Sequence, residues 1–240
     1  VPDPQVSRVH ADAETIPGQI ATMLRNSELQ RLNFGIFSLH AAMRGLFMVI
    51  PLVLVQVAGV SGSEHWKVYL PVMAISFIAV IPAIIVAEKY GRMKLVFCGA
   101  VALLCLSTLL MAVFLGNFVG VIVTLSMFFI AFNLLEATLP SLVSKIAPAG
   151  SKGTALGVYN SFQFFGLFLG GTLGGFLAQH VGNAAVFVFS AGLALAWLML
   201  ALSMSWTLVG HPMGELRVES SYMNRYTMIR FQGESHGIFT

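Results

Sequence analysis

Long apolar runs alternate with short polar connections along most of the chain, and the runs are all of similar length. Six of them, Phe34–Val57, Val68–Ala87, Leu95–Leu115, Phe118–Leu139, Thr154–Ala178 and Ala184–Leu202, are long enough to cross hydrocarbon as helices. A helix rises about 1.5 Å per residue, so some 20 residues span the roughly 30 Å core of a bilayer. None of the runs alternates with a period of two, which excludes the strands of a membrane barrel. The first run is too long for a cleaved signal peptide, and some thirty mostly polar residues precede it. The pattern predicts an all-α, polytopic membrane protein with a six-helix bundle over residues 32–204.

Two polar flanks remain. Residues 1–31 contain Pro2, Pro4 and Pro17 and read as a linker, although Ile20, Met23 and Leu24 have the spacing of a short surface helix. Residues 205–240 are broken by Gly210, Pro212, Gly214, Gly233 and Gly237 and are too few for a core of their own. They read as a tail without a domain.

Composition fits this reading. The chain is 57% hydrophobic and 10% charged, where soluble domains carry about 25% charged residues. The net charge of +3 is spread between apolar runs rather than gathered on one face, so no nucleic-acid partner is expected. Position makes the charges informative. Arg8, Arg25, Arg31, Lys89, Arg92, Lys94, Lys145, Lys152, Arg217, Arg225 and Arg230 fall in the flanks and connections of one side. The other side has only Lys67, and Arg44 lies inside the first run. The positive-inside rule then puts both termini in the cytoplasm. Trp66, Tyr69 and Trp206 stand where interfacial anchors belong.

Enzyme chemistry has no foothold. Cys98 and Cys105 share a run at a spacing of seven, roughly 10 Å along a helix and too far for a disulfide. No metal-ligand spacing, Gly-rich phosphate loop or nucleophile elbow occurs, so neither a metal nor a cofactor is expected.

The candidate site consists of what the runs should not contain, because polar and ionisable groups inside a bilayer are costly. Arg44 lies near the middle of the first run, with His40 one helical turn earlier on the same face. Glu136, with Asn133 three residues before it, lies near the end of the fourth run, which ends near Pro140 or a turn later at Val143. Asn160 and Gln163 lie in the fifth. These six residues fall in one layer and form the candidate proton and substrate pathway. The alternative is a static Arg44–Glu136 pair that locks two helices together, which would stabilise little after desolvation. For Asn160 and Gln163, interhelical hydrogen bonding is an equal alternative. Desolvation favours a neutral carboxyl and a neighbouring guanidinium favours a charged one. Movement of Arg44 relative to Glu136 would therefore couple shape to protonation.

In the fifth run, Gly166, Gly170 and Gly174 repeat every four residues, with Gly171 and Gly175 as a parallel row. Such spacing lets helix backbones approach closely. It could also let one bundle slide on another. Runs one to three and four to six share an order of polar, intermediate and apolar members, as expected of two inverted three-helix repeats. The third and sixth runs, without charged or amide residues, are expected to face lipid.

The connections carry a resemblance. Glu88, Gly91, Arg92 and Lys94, between the second and third runs, resemble the short cytoplasmic loop motif of the major facilitator superfamily. The stretch from Phe132 through Glu136 to Lys145, and that from Pro148 through Gly157 to Asn160, are more specific. With Arg31-Leu32-Asn33, Leu39-His40 and Glu64 to Leu70, they are similar to the C-terminal half of the YajR-type drug/proton antiporters of that superfamily. The resemblance covers about residues 17–204. It implies half of a major facilitator fold in a bacterial inner membrane, with residues 1–31 linking it to a missing N-terminal six-helix half. It further implies secondary active transport of a small-molecule substrate by alternating access, outward and coupled to protons. Import of a metabolite or sugar by the same fold is one alternative. A self-associating module that closes its glycine face by dimerising is another. Arg44 has no place in the family pattern, so its role rests on membrane physics alone.

Overall fold

The computed structural model describes residues 17–148, 150–204 and 206 of the chain. The described chain is helical: α1 (Pro17–Arg25), α2 (Ser27–Ala58), α3 (Trp66–Glu88), α4 (Met93–Phe114), α5 (Phe118–Ile146), α6 (Lys152–His180) and α7 (Asn183–Leu202). The last six are long and apolar enough to cross a membrane. Each matches one of the apolar runs, the third of which extends one residue past α4 to Leu115.

The lead-in differs from a plain linker. Its Ile20–Met23–Leu24 spacing forms α1, which buries Met23 and lies beside α6, where Thr154 Oγ1 donates to Gln19 Oε1 at 3.1 Å. Asn26 then starts a new helix, its side chain accepting from the backbone N–H groups of Glu28 and Leu29. The first long helix therefore begins at Ser27, within the segment read as linker. It ends at Gly59, whose φ of 64° is the left-handed cap that releases the chain. Residues 1–16 and, apart from Trp206, the tail 205–240 lie outside the described residues.

The fourth run also continues past its expected end, with α5 running through Pro140 to Ile146. A proline inside a helix removes one donor and leaves the carbonyl four residues earlier without its partner. Here that carbonyl belongs to Glu136. Leu139, Leu142 and Val143 are buried on both sides of Pro140, and this packing carries the helix onward. Pro51 in α2 and Pro71 and Pro82 in α3 are likewise internal.

The helices pack as two related triplets. Exchanging α2, α3 and α4 for α5, α6 and α7 maps the α2/α6 seam onto α5/α3, and α4/α5 onto α7/α2. The α4/α7 and α2/α5 contacts map onto themselves, and α3/α4 onto α6/α7. An odd number of crossings per triplet makes the repeat inverted. The core runs through the middle of this arrangement and includes Ile36, Leu39 and Leu46 of α2, Phe128 and Leu135 of α5, and Phe97 and Trp197 of the α4/α7 pair. Outside it, α4 and α7 turn Leu106, Leu109, Val113, Leu195 and Met199 outward, the faces expected against lipid.

The glycine row on α6 is a seam. Gly166 lies against the Phe37 backbone, Gly170 against that of Ala41, and Gly174 has the Cα of Gly45 3.4 Å from where its Cβ would be. Both helices advance by four residues from one contact to the next, so they run parallel and in register. The row read as a face for sliding or dimerising is thus covered by α2.

Candidate functional site

His40 stands on the buried side of α2, between α5 and α6, and is 4% exposed. A polar ring at that depth must find hydrogen bonds within the protein. Nδ1 lies 3.3 Å from the Ile36 carbonyl one turn back, and Nε2 lies 2.7 Å from Nε2 of Gln163 on α6. Both contacts are satisfied by the neutral tautomer with its proton on Nδ1, which donates to Ile36 while Nε2 accepts from the Gln163 amide. The edge of the ring meets Phe132 at 5.6 Å, which fixes its plane.

Glu136 reaches the same ring from α5, with Oε2 3.8 Å from His40 Nε2. That oxygen is buried and has no hydrogen-bond partner among the described residues, although the side chain as a whole is 38% exposed. A proton added to His40 Nε2 would change it from acceptor to donor, and the unpartnered carboxylate oxygen is the acceptor beside it. One proton can thus switch the ring between Gln163 and Glu136. Tyr159, one turn before Gln163 on α6, adds a buried hydroxyl that also lacks a partner among the described residues.

The six sequence candidates therefore divide. His40, Glu136 and Gln163 converge. Asn133 is tied to α3, where its Nδ2 donates to Ser76 Oγ at 2.7 Å. It lines an apolar groove between α3 and α5 with Phe77, Val80, Ile81, Ile84 and Glu136. Asn160 is exposed on α6, outside the cluster. The expected Arg44–Glu136 pair does not form. Arg44 is exposed, and its stem lies by Gly171, whose Cβ would be 3.4 Å from the Arg44 Cγ and Nε. One turn separates Arg44 from His40, and that turn carries the guanidinium past the carboxylate toward α6.

Sequence reasoning missed Tyr159 and Ser76. The signal for Tyr159 was present: continuing the glycine row backward in steps of three and four gives Gln163 and then Tyr159. Ser76 had none, because a serine in an apolar run usually bonds its own helix. Here it also does so, donating to the Met73 carbonyl.

At the loop between α3 and α4, Gly91 has a φ of 64°, so the tight reversal needs glycine there. Glu88 pairs with Lys145 of α5 at 3.3 Å, while Arg92 and Lys94 are exposed.

Comparison with known proteins places this geometry in context. The family model of the Major Facilitator Superfamily matches residues 32–220. The inner membrane transport protein YajR of Escherichia coli (strain K12) is 40% identical over 204 residues, covering 85% of this chain and 45% of that protein. An uncharacterized transporter of Buchnera aphidicola subsp. Baizongia pistaciae is 27% identical over 183 residues, 75% of this chain and 46% of its own. The chain thus spans less than half the length of these relatives.

Proposed function

The chain belongs to the major facilitator superfamily, and from that membership we propose that it is the C-terminal half of a transporter that exports a small molecule in exchange for protons. Two six-helix halves would enclose the substrate and open alternately to either side. The likeness to an inner membrane transport protein supports a bacterial inner membrane as its place, and the distribution of Lys and Arg supports cytoplasmic termini.

The observation that carries the proton role is the convergence of His40, Glu136 and Gln163 from three helices, with one carboxylate oxygen buried and unpartnered. Ionisable groups inside a membrane usually mark such a pathway. A substrate compartment that alternates between wet and dry would load and release the proton there.

The test is transport by the complete protein in lipid vesicles under an imposed pH gradient. With Glu136→Gln, transport driven by the gradient should fall to that of protein-free vesicles, while substrate exchange without a gradient persists. Undiminished driven transport in the variant would remove Glu136 from the proton path.

A further inference from the structure

The proton cluster leaves Arg44 unused, and Arg44 is the most expensive residue in the bundle. It lies 17 residues after Ser27 and 14 before Ala58, roughly 20 Å or more from either end of α2 at about 1.5 Å per residue. An arginine can extend its charge to the interface only from near a helix end. The guanidinium therefore remains in the middle of the membrane.

No carboxylate in the bundle answers it. The four acidic residues among those described are Glu28, Glu64, Glu88 and Glu136. They face Arg31, Lys67, Lys145 and His40 respectively. The side chain is nevertheless seated. A Cβ on Gly171 would lie 3.4 Å from its Cγ and Nε, in ordinary van der Waals contact, so the stem rests against this turn of α6. Gly175, one turn on, leaves room for Met48. The second glycine row, which α2 backbone does not cover, thus supports the aliphatic part of Arg44 and leaves its charged end open. Phe47, on the neighbouring turn, is also exposed and touches the rings of Tyr69 and Phe129. An uncompensated guanidinium has the chemistry to hold an anionic group, and the exposed Phe47 three residues on offers an apolar surface on the same helix.

We propose that Arg44 binds the negatively charged group of the transported compound, so that the substrate class is organic anions carrying a carboxylate, sulfonate or phosphate. This rests on the transporter reading above and holds for either direction of transport. An acidic residue of the other half of the transporter could supply the same chemistry, and the experiment separates the two.

Modification of Arg44 by hydroxyphenylglyoxal, read by mass spectrometry of the peptide that contains it, reports access to the guanidinium without needing transport. The complete protein in lipid vesicles is treated alone and with 2-naphthoate, 2-naphthalenesulfonate, 2-naphthyl phosphate or neutral 2-naphthamide. Arg44 should react, and at least one anion should slow the reaction about tenfold at ten times its dissociation constant, with the amide without effect. An Arg44 that does not react is covered by protein, which overturns the proposal. Equal protection by the amide, or protection by none of the anions, overturns it as well. Because labelling needs no proton gradient, anion protection alongside undiminished driven transport in Glu136→Gln would reject the proton role alone. Loss of protection with proton coupling intact would reject only the anion site.

Discussion

The α2/α6 seam and the α3/α5 seam occupy equivalent places in the two helix triplets, yet they are held by different means. Between α2 and α6 the glycines bring backbone against backbone, which leaves nothing to compress. Between α3 and α5 no glycine intervenes. One amide–hydroxyl bond and one ion pair join them, with an apolar groove between. The cluster of His40, Gln163 and Glu136 is divided along the same line. His40 and Gln163 stand on the tight pair, and Glu136 on the other. A displacement of α5 against α2 and α6 changes the 3.8 Å separation of His40 and Glu136 and leaves the His40–Gln163 contact in place. The contrast sets the histidine on a pair in backbone contact and the acid on a helix outside that pair.

The largest effect expected from this contrast is at the tight seam. A Cβ on Gly170 would overlap the carbonyl, Cα and carbonyl carbon of Ala41, which are backbone atoms that cannot turn aside. Gly170→Ala should therefore lower stability in mild detergent by about 3 kcal/mol, the upper range for an overpacked site. Gly157 is on the same helix with open space around its missing Cβ. Gly157→Ala should cost nothing and, through helix propensity, stabilise by up to about 1 kcal/mol. Thermal unfolding of both variants checks this. Similar melting behaviour of the two would mean that the seam is not rigid.

How far the sequence foretold these seams depends on the physics of each. The six crossings were legible because lipid demands long apolar runs, and Gly166, Gly170 and Gly174 because close approach demands small residues at a spacing of four. His40, Gln163 and Glu136 were legible as costly groups at similar depth. Their pairing was not, since depth along a helix says nothing about rotation around it. Arg44 and His40 share a face at a spacing of four, yet the carboxylate meets only the histidine. The end of α5, read near Pro140 or a turn later at Val143, lies at Ile146, and packing around Leu139, Leu142 and Val143 accompanies its passage through the proline. The short helix α1 had its periodicity in view, but what it buries against α6 lies more than a hundred residues away in sequence.

An intermediate effect belongs to the polar link of the looser seam. Ser76→Ala leaves the Asn133 amide without its 2.7 Å acceptor, a loss of about 1 kcal/mol. Combining it with Asn133→Leu removes both partners and should recover most of that loss, since a pair replaced by apolar groups leaves nothing unsatisfied. A double-mutant cycle on thermal stability measures the coupling. Additive losses would show that the bond contributes nothing to holding α3 against α5.

The smallest effect lies at the end of that seam where Lys145 and Glu88 meet at 3.3 Å, both partly in solvent. Such pairs contribute between nothing and about 1 kcal/mol, but their surroundings make the two partners unequal. Lys145 is in the last turn of α5, where a cation is favoured by the helix dipole. Glu88 is the last residue of α3, where an anion is disfavoured. Removing the lysine loses both the pair and the dipole term, whereas removing the acid loses the pair and relieves a repulsion. Lys145→Ala should therefore destabilise by about 0.5–1 kcal/mol, and Glu88→Gln by no more than a few tenths. Both differences should shrink when salt is raised toward 1 M, where the screening length falls to about 3 Å. Equal losses insensitive to salt would mean that the two side chains act by packing. The looser seam would then be held at its Glu88 end by shape, and the distinction between a seam of backbone contact and a seam of polar links would apply only near the middle of the bundle.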